Sequence, residues 1–336
     1  MSWPDSFLEE ALQSAEEQDR FRRLRSISRR EGRHFEWLGQ RYVNFSSNDY
    51  LGLSQCQSIK NISAKAVEEW GVGSTASRLV AGNLSLHEQL EQALCQWKGA
   101  EAALVFNSGY QANLGIMQAL LGAKDQVFAD RFIHASLIDG IKLSQARLRR
   151  YRHNDYQHLE KLLRENTKKS VRSVIVSESV FSMDGDFGDL DELCRLAEEY
   201  DCLLVIDDAH GSGISGEAGR GPCSNYLAKI DLLIGTFGKA LGSFGAYALC
   251  SEKMRHYLIN FCRSFIYTTS LPPAVLEANR AVIELLQTPK GQEKVDQLQE
   301  NISFLSQGIQ GLGLECPAGE SAIFPLIVGG EKEALL

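Results

Sequence analysis

Six short, mostly apolar runs set the strongest limit on how this chain folds: Ala102–Phe106, Gln126–Ala129, Ser173–Val176, Cys202–Ile206, Leu232–Gly235 and Ala246–Leu249. Each has the length of a strand, most lack polar–apolar alternation, and helical patterns lie between them. A strand that is apolar on both faces has to be covered on both, the condition of a mainly parallel sheet with helices on each side. At 336 residues the chain is long enough for such a core and for a second, smaller unit. The expected class is α/β.

The helical punctuation is readable in places. Ser85-Leu86-His87-Glu88 has the form of a capping box, with Leu86, Leu90, Leu94 and Trp97 on one face before Gly99. Asp189-Leu190-Asp191-Glu192 starts another helix, with Leu193, Leu196 and Ala197 turned inward. An N-terminal helix is expected from Asp5 or Ser6, its stripe formed by Leu8, Leu12, Ala15, Phe21 and Leu24. Glu9, Glu10, Glu16 and Glu17 precede Arg20, Arg22, Arg23 and Arg25 in it, an order that suits the helix dipole. Tyr42–Phe45 reads as a short strand. Beyond Pro272-Pro273 the pattern is helical and polar to about Gln310, and Ser321–Val328 reads as a strand opening a further unit.

Composition narrows the function. A net charge of −8 argues against general nucleic-acid binding. No apolar run approaches the roughly 18–20 residues of a membrane span, and Met1-Ser2-Trp3-Pro4-Asp5 lacks the order of a signal peptide. The eight cysteines (Cys56, Cys95, Cys194, Cys202, Cys223, Cys250, Cys262 and Cys316) form no C-x-x-C pair. Reduced thiols in a cytoplasmic protein, with no metal site, are the expectation.

The chemistry is concentrated after the runs. Ligands of open parallel sheets bind beyond the carboxyl ends of the strands, and the candidate residues fall there. Gly109 and Tyr110 follow the first run and His134 the second. Ser182 follows the third, Asp207 and His210 the fourth, and Lys239 the fifth. A lysine among small residues can form an imine, an aspartate can keep a pyridine nitrogen protonated, and a histidine can hydrogen-bond the ring. That combination points to pyridoxal phosphate. Burial of Lys239 would lower its pKa and favour the free amine. Asn107-Ser108-Gly109-Tyr110, before a helix, offers backbone N–H groups to a phosphate.

Two other motifs compete. Gly211-Ser212-Gly213-Ile214-Ser215-Gly216 matches the dinucleotide fingerprint, which keeps an NAD-dependent oxidoreductase as the rival reading. No acidic residue lies at the ribose-binding distance of about 20 residues, and an irregular loop is expected after it. Gly238-Lys239 lacks the glycine and hydroxyl of a Walker A loop, since Leu233 and Ala240 occupy those positions. The arginines at 20, 22, 23, 25, 29, 30 and 33 read mainly as a solvated helix end, with one or two suited to a substrate carboxylate or to the phosphates or acidic carrier of an acyl thioester.

Taken together, several stretches resemble the α-oxoamine synthase family, pyridoxal-phosphate enzymes of the aspartate-aminotransferase fold, and most of all its biotin-synthesis branch. They are Asn44–Leu53, Ala76–Leu79 with Gly82-Asn83, Ser179–Asp186, Asp207–Gly213 and Thr236–Gly242. The resemblance implies that Lys239 carries the cofactor, Asp207 faces the pyridine nitrogen, His210 and Ser182 lie near the ring hydroxyl, and His134 stacks on the ring. It implies Gly109, Tyr110 and Thr236 on the phosphate side, Arg22 and Asn48 as substrate contacts, and Ser270 reaching the phosphate of a neighbouring subunit in a homodimer with shared sites. The implied reaction joins L-alanine to pimeloyl-CoA or pimeloyl-acyl carrier protein with loss of carbon dioxide. Sister enzymes use glycine or serine with other acyl thioesters. The implied organisation is an N-terminal arm over residues 1–55, a cofactor-binding domain over 56–285 and a partial small domain over 286–336. Relatives continue past this chain's last residue, so the small domain is expected to be incomplete and to lack an arginine for the amino-acid carboxylate. Full turnover is then conditional, with an inert cofactor-binding fragment as the third reading.

Overall fold

The computed structural model describes residues 3–165, 172–314 and 321–335. The strands are β1 (Arg29–Glu31), β2 (His34–Trp37), β3 (Gln40–Val43), β4 (Ala102–Phe106), β5 (Gln126–Asp130), β6 (Arg147–Tyr151), β7 (Ser173–Glu178), β8 (Leu203–Asp207), β9 (Leu232–Thr236) and β10 (Ala246–Cys250). The helices are α1 (Trp3–Glu17), α2 (Gln57–Trp70), α3 (Ser85–Lys98), α4 (Gly109–Leu120), α5 (Ala135–Ser144), α6 (Tyr156–Arg164), α7 (Leu190–Glu199), α8 (Glu252–Phe261), α9 (Arg263–Ile266), α10 (Pro273–Leu286), α11 (Pro289–Gly311) and α12 (Glu331–Leu335).

All six apolar runs become strands of one seven-stranded sheet, ordered β4-β10-β9-β8-β7-β5-β6. Neighbours from β9 to β6 are parallel, and β10 runs antiparallel to both β4 and β9. The lack of alternation has a direct cause. Val127 and Ala129 face one apolar cluster while Phe128 faces the other, and Leu232 and Ile234 oppose Leu233 in the same way. Helices α4 and α5 cover one face through Ile116, Met117, Leu137 and Ile141. Helices α3, α6, α7 and α10 cover the other through Leu90, Leu159, Leu193 and Leu276. Truncating one such leucine to alanine costs about 2–5 kcal/mol.

Several local expectations need correction. Helix α1 stops at Glu17, because Asp19 turns left-handed with φ 53°. Phe21, Leu24 and the arginines therefore lie beyond it, and its last turn holds no basic residue. Ser85 is the first helical residue rather than the cap. Leu84 takes the cap position without a side-chain bond, and Glu88 accepts from Asn83 Nδ2 at 3.0 Å instead. Asp189 does cap α7, accepting from the Glu192 amide at 3.1 Å, and Gly99 ends α3 at φ 78°. The strand expected at Tyr42–Phe45 is β3, two residues earlier, in a three-stranded antiparallel sheet with β1 and β2. Helix α10 is not polar: it buries Leu276, Ala281, Val282, Ile283 and Leu286. Ser321–Val328 forms no strand. Ser321 Oγ donates to Gly185 O at 2.6 Å, so this segment packs on a loop and not on a sheet edge. The seven described cysteines are unbridged, and Cys316 lies outside the described residues, as do Met1 and Ser2.

Candidate active site

Four parallel strands end in polar side chains: Asp130 on β5, Glu178 on β7, Asp207 on β8 and Thr236 on β9. Glu178 and Asp207 are register partners, and both are buried. Asp207 Oδ2 accepts from Asn113 Nδ2 at 2.7 Å, and its Oδ1 from the Ala209 amide at 3.0 Å. Three residues on, His210 is buried with Nδ1 2.8 Å from Tyr50 Oη. Burial first, then the charges of Lys239 and His134, lowers its pKa to about 3. His210 is therefore neutral at physiological pH.

Lys239 sits in a turn closed by a 2.8 Å bond from the Gly242 amide to its carbonyl. Glycine is required at 242: φ is 65°, and a Cβ would stand 2.4 Å from the Ser54 amide nitrogen. At Gly213 a Cβ would lie 2.7 Å from Ala240 Cβ, so the loop after β8 and the lysine turn touch. Burial lowers the Lys239 pKa, while Asp207 and Glu178 act in the opposite sense, and the net shift is downward. That shift is in the direction of the free amine.

His134 caps α5. Its backbone N–H donates to Glu178 Oε1 at 2.6 Å, and its Nδ1 lies 2.7 Å from Ser136 Oγ. Gly109 and Tyr110 form the first turn of α4, and their N–H groups have no acceptor among the described residues. An anion at such an end meets both the free donors and the helix dipole. The Tyr110 hydroxyl points elsewhere, donating to Asp139 Oδ2. Thr236 Oγ1 donates to Gly245 O at 2.9 Å and accepts from the Gly238 amide at 3.1 Å. Ser182 is half-buried in the turn after β7.

Ser270 and Arg22 form no hydrogen bond with this group among the described residues, whereas Asn48 reaches His210 through Tyr50. Ser270 Oγ donates to Gly82 O at 2.7 Å, which ties it to the Ala76–Gly82 loop. Asn48 Oδ1 receives Tyr50 Oη at 3.3 Å, the longer of that hydroxyl's two contacts. Arg22 is exposed and makes no hydrogen bond or ion pair among the described residues. Of the basic cluster, Arg30 and Arg33 line a cavity of about 640 Å³ with Tyr50, Lys290 and Lys294, where Arg30 pairs with Asp49 at 3.2 Å.

The structure also corrects the dinucleotide rival. Two short 3-10 turns, Glu217–Gly219 (broken by left-handed Ala218) and Pro222–Asn225, follow Gly211–Gly216, where a dinucleotide site would need an α-helix. Gly211 is small because a Cβ would come within 2.2 Å of Asp208 Oδ1 and 2.5 Å of Ser179 Oγ. Gly211 and Gly213 serve close packing, and Gly216 a left-handed turn at φ 78°. Sequence reasoning missed Tyr50, Asn113, Ser136 and Glu178, which carry no local pattern of their own.

Residues 40–336 match the aminotransferase class I and II family. The chain belongs to that family. The 8-amino-7-oxononanoate synthase of Geobacter sulfurreducens is 46% identical over 326 residues, covering 96% of this chain and 83% of the relative. Among solved structures, a serine palmitoyltransferase from S. paucimobilis with bound PLP and myriocin superposes with a TM-score of 0.91 at 28% identity, over 99% of this chain and 87% of that one. The 8-amino-7-oxononanoate synthase of Francisella tularensis gives 0.70 at 33% identity, over 82% and 78%. The class I and II aminotransferase fold accounts for the sheet order and for the clustering of polar groups at the strand ends.

Proposed function

We propose that this chain condenses L-alanine with a pimeloyl thioester on coenzyme A or acyl carrier protein, releasing carbon dioxide, free thiol and 8-amino-7-oxononanoate, as a cytoplasmic homodimer with shared active sites. The observation that carries this reading is the 46% identity across 96% of the chain to a relative of that name. A serine palmitoyltransferase superposes better but is only 28% identical. Overall shape is common to sister enzymes, so the sequence likeness decides between them.

The residues present fit pyridoxal phosphate. A buried strand-end carboxylate, a lysine with lowered pKa and a free helix N-terminus supply the three groups that its ring nitrogen, aldehyde and phosphate require. When bound, the cofactor supplies a carbonyl that condenses with amines and a ring that accepts charge from the amino-acid Cα.

The chain's own residues then divide the work. Lys239 Nζ would hold the cofactor aldehyde and, as a free amine, would take the alanine Cα proton. Asp207 would accept from a protonated ring nitrogen. His210, neutral and pinned by Tyr50, has Nε2 left for the ring hydroxyl, together with Ser182. His134 would pack against the ring and would stabilise negative charge developing on the substrate. The Gly109 and Tyr110 amides and Thr236 would hold the phosphate, and Ser270, now bonded to Gly82 O, would serve the phosphate of a second copy. Arg22 and Asn48 contact substrate. Residues 1–55 act as an arm, 56–285 as the cofactor domain and 286–336 as part of the small domain.

Carbon dioxide release with alanine, glycine and serine, each paired with pimeloyl, succinyl and palmitoyl thioesters, tests the reading. Alanine with pimeloyl is expected to exceed every other pair. A preference for glycine or serine would overturn the assignment.

A further inference from the structure

Asp207 and His134 come from different strand ends, yet two buried side chains join them. Asn113, on α4, donates from Nδ2 to Asp207 Oδ2 at 2.7 Å and to Ser136 Oγ at 3.0 Å. An amide nitrogen has two hydrogens, so both are committed. A flipped amide would set Oδ1 against the carboxylate. The observed orientation is kept even though Oδ1 has no partner among the described residues.

Ser136 continues the chain. Its Oγ receives a hydrogen from Asn113, leaving its own hydrogen for His134 Nδ1 at 2.7 Å. The Ser136 backbone N–H donates to the same Nδ1 at 3.3 Å. A ring nitrogen that faces two donors is the acceptor, which places the proton of neutral His134 on Nε2. Asn113 and Ser136 are buried, whereas the His134 side chain is exposed. The buried pair thus orients an imidazole whose only unengaged polar group is Nε2–H.

We propose that Asn113 and Ser136 are positioning residues that hold His134 as its Nε2–H tautomer and tie its ring to the Asp207 carboxylate. One hydrogen-bonded frame then carries both the partner of the ring nitrogen and the group on the ring face. The proposal rests on the reading above for what His134 and Asp207 do, and on the geometry alone for how they are held. A donor fixed at Nε2 can meet oxygen on a ligand but cannot take a proton at that atom. It therefore assigns His134 to stabilising negative charge, leaving proton removal to Lys239.

Nitrogen-15 NMR of histidine-labelled protein, with His134 assigned by loss of its signals in His134→Gln, tests the tautomer without substrate. The wild type is expected to show the Nε2–H form. Ser136→Ala is expected to show a mixture of tautomers, and Ser136→Thr to restore the wild-type pattern. With alanine and pimeloyl thioester, Ser136→Ala should lower kcat by about ten- to a hundredfold with KM for alanine little changed, since misplacement by an ångström costs rates of that order. A wild-type His134 protonated at Nδ1, or an unmixed Nε2–H form in Ser136→Ala, would overturn the proposal. If the tautomers behave as expected but no carbon dioxide is released from alanine, the positioning role stands and the reaction assigned above falls.

Discussion

Glu178 and Asp207 end adjacent parallel strands as register partners, so two buried carboxylates lie side by side and both act electrostatically on Lys239. They are not equivalent. Burial first, then the charge of Asp207, raises the Glu178 pKa well above the carboxylate range, while its Oε1 holds the His134 amide at 2.6 Å. Burial and the neighbouring carboxylate drive Glu178 toward its neutral form.

Glu178→Gln copies that neutral form and keeps the acceptor for the His134 amide. It should retain cofactor binding and most activity at neutral pH. Glu178→Ala leaves the half-buried His134 N–H without its acceptor and should weaken both. Cofactor affinity by absorbance titration and kcat/KM check this. Equal damage in the two variants would show that the charge of Glu178, not its hydrogen bond, is what the site uses.

Behind Asp207, Lys98 Nζ meets Asp208 Oδ2 at 3.3 Å and Ser212 Oγ at 2.8 Å, and Ser179 Oγ donates to Asp208 Oδ1 at 2.7 Å. The lysine and aspartate side chains are 1% and 0% exposed, so neither charge has water to fall back on. Lys98→Ala should destabilise the fold by about 3–5 kcal/mol in denaturant titration, because it leaves a buried charge uncompensated. The double variant Lys98→Met with Asp208→Asn should lose less. A loss below about 1 kcal/mol in the single variant would contradict the network.

His153 gives the fold a pH dependence separate from the chemistry. Its Nδ1 lies 3.0 Å from Asp130 Oδ1 and its Nε2 2.8 Å from Asp186 Oδ2, so it ties the end of β5 to the turn that carries Ser182. Burial pushes its pKa down, but the hydrogen bonds and charges of Asp130 and then Asp186 outweigh it, and the net shift is upward from 6.5. A base whose folded pKa is raised stabilises fully below its unfolded value and loses that contribution as pH climbs through the folded one. The stability gap between wild type and His153→Gln should therefore be largest below the unfolded value of about 6.5 and shrink as pH rises above it. Denaturation midpoints measure it, and a gap that grows with pH would refute the bridge.

The parts of this fold that could be read in advance are those whose cause is local. Phe128 and Leu233 announce two-sided burial by their neighbours' apolarity alone. Strand β6 was missed because Arg147-Leu148-Arg149-Arg150-Tyr151 lies at the sheet edge, where arginines reach solvent. Strands β1 and β2 are short and largely exposed, so composition did not mark them. The same division holds at the site. Asp207, His210 and Lys239 follow apolar runs closely enough to be noticed. Asn113 acquires its meaning only when topology brings it to Asp207, 94 residues away. Glu178 closes its own run, but its importance comes from β8 beside it and from His134 above β5.

Every role proposed at this site depends on Lys239 taking the cofactor. Reduction of the yellow holoprotein with borohydride, followed by peptide mass analysis, tests this directly. One modified peptide, spanning Lys239, is expected, with loss of that modification in Lys239→Ala. A reduced cofactor on another lysine, or a colourless protein that binds a nicotinamide cofactor instead, would contradict it.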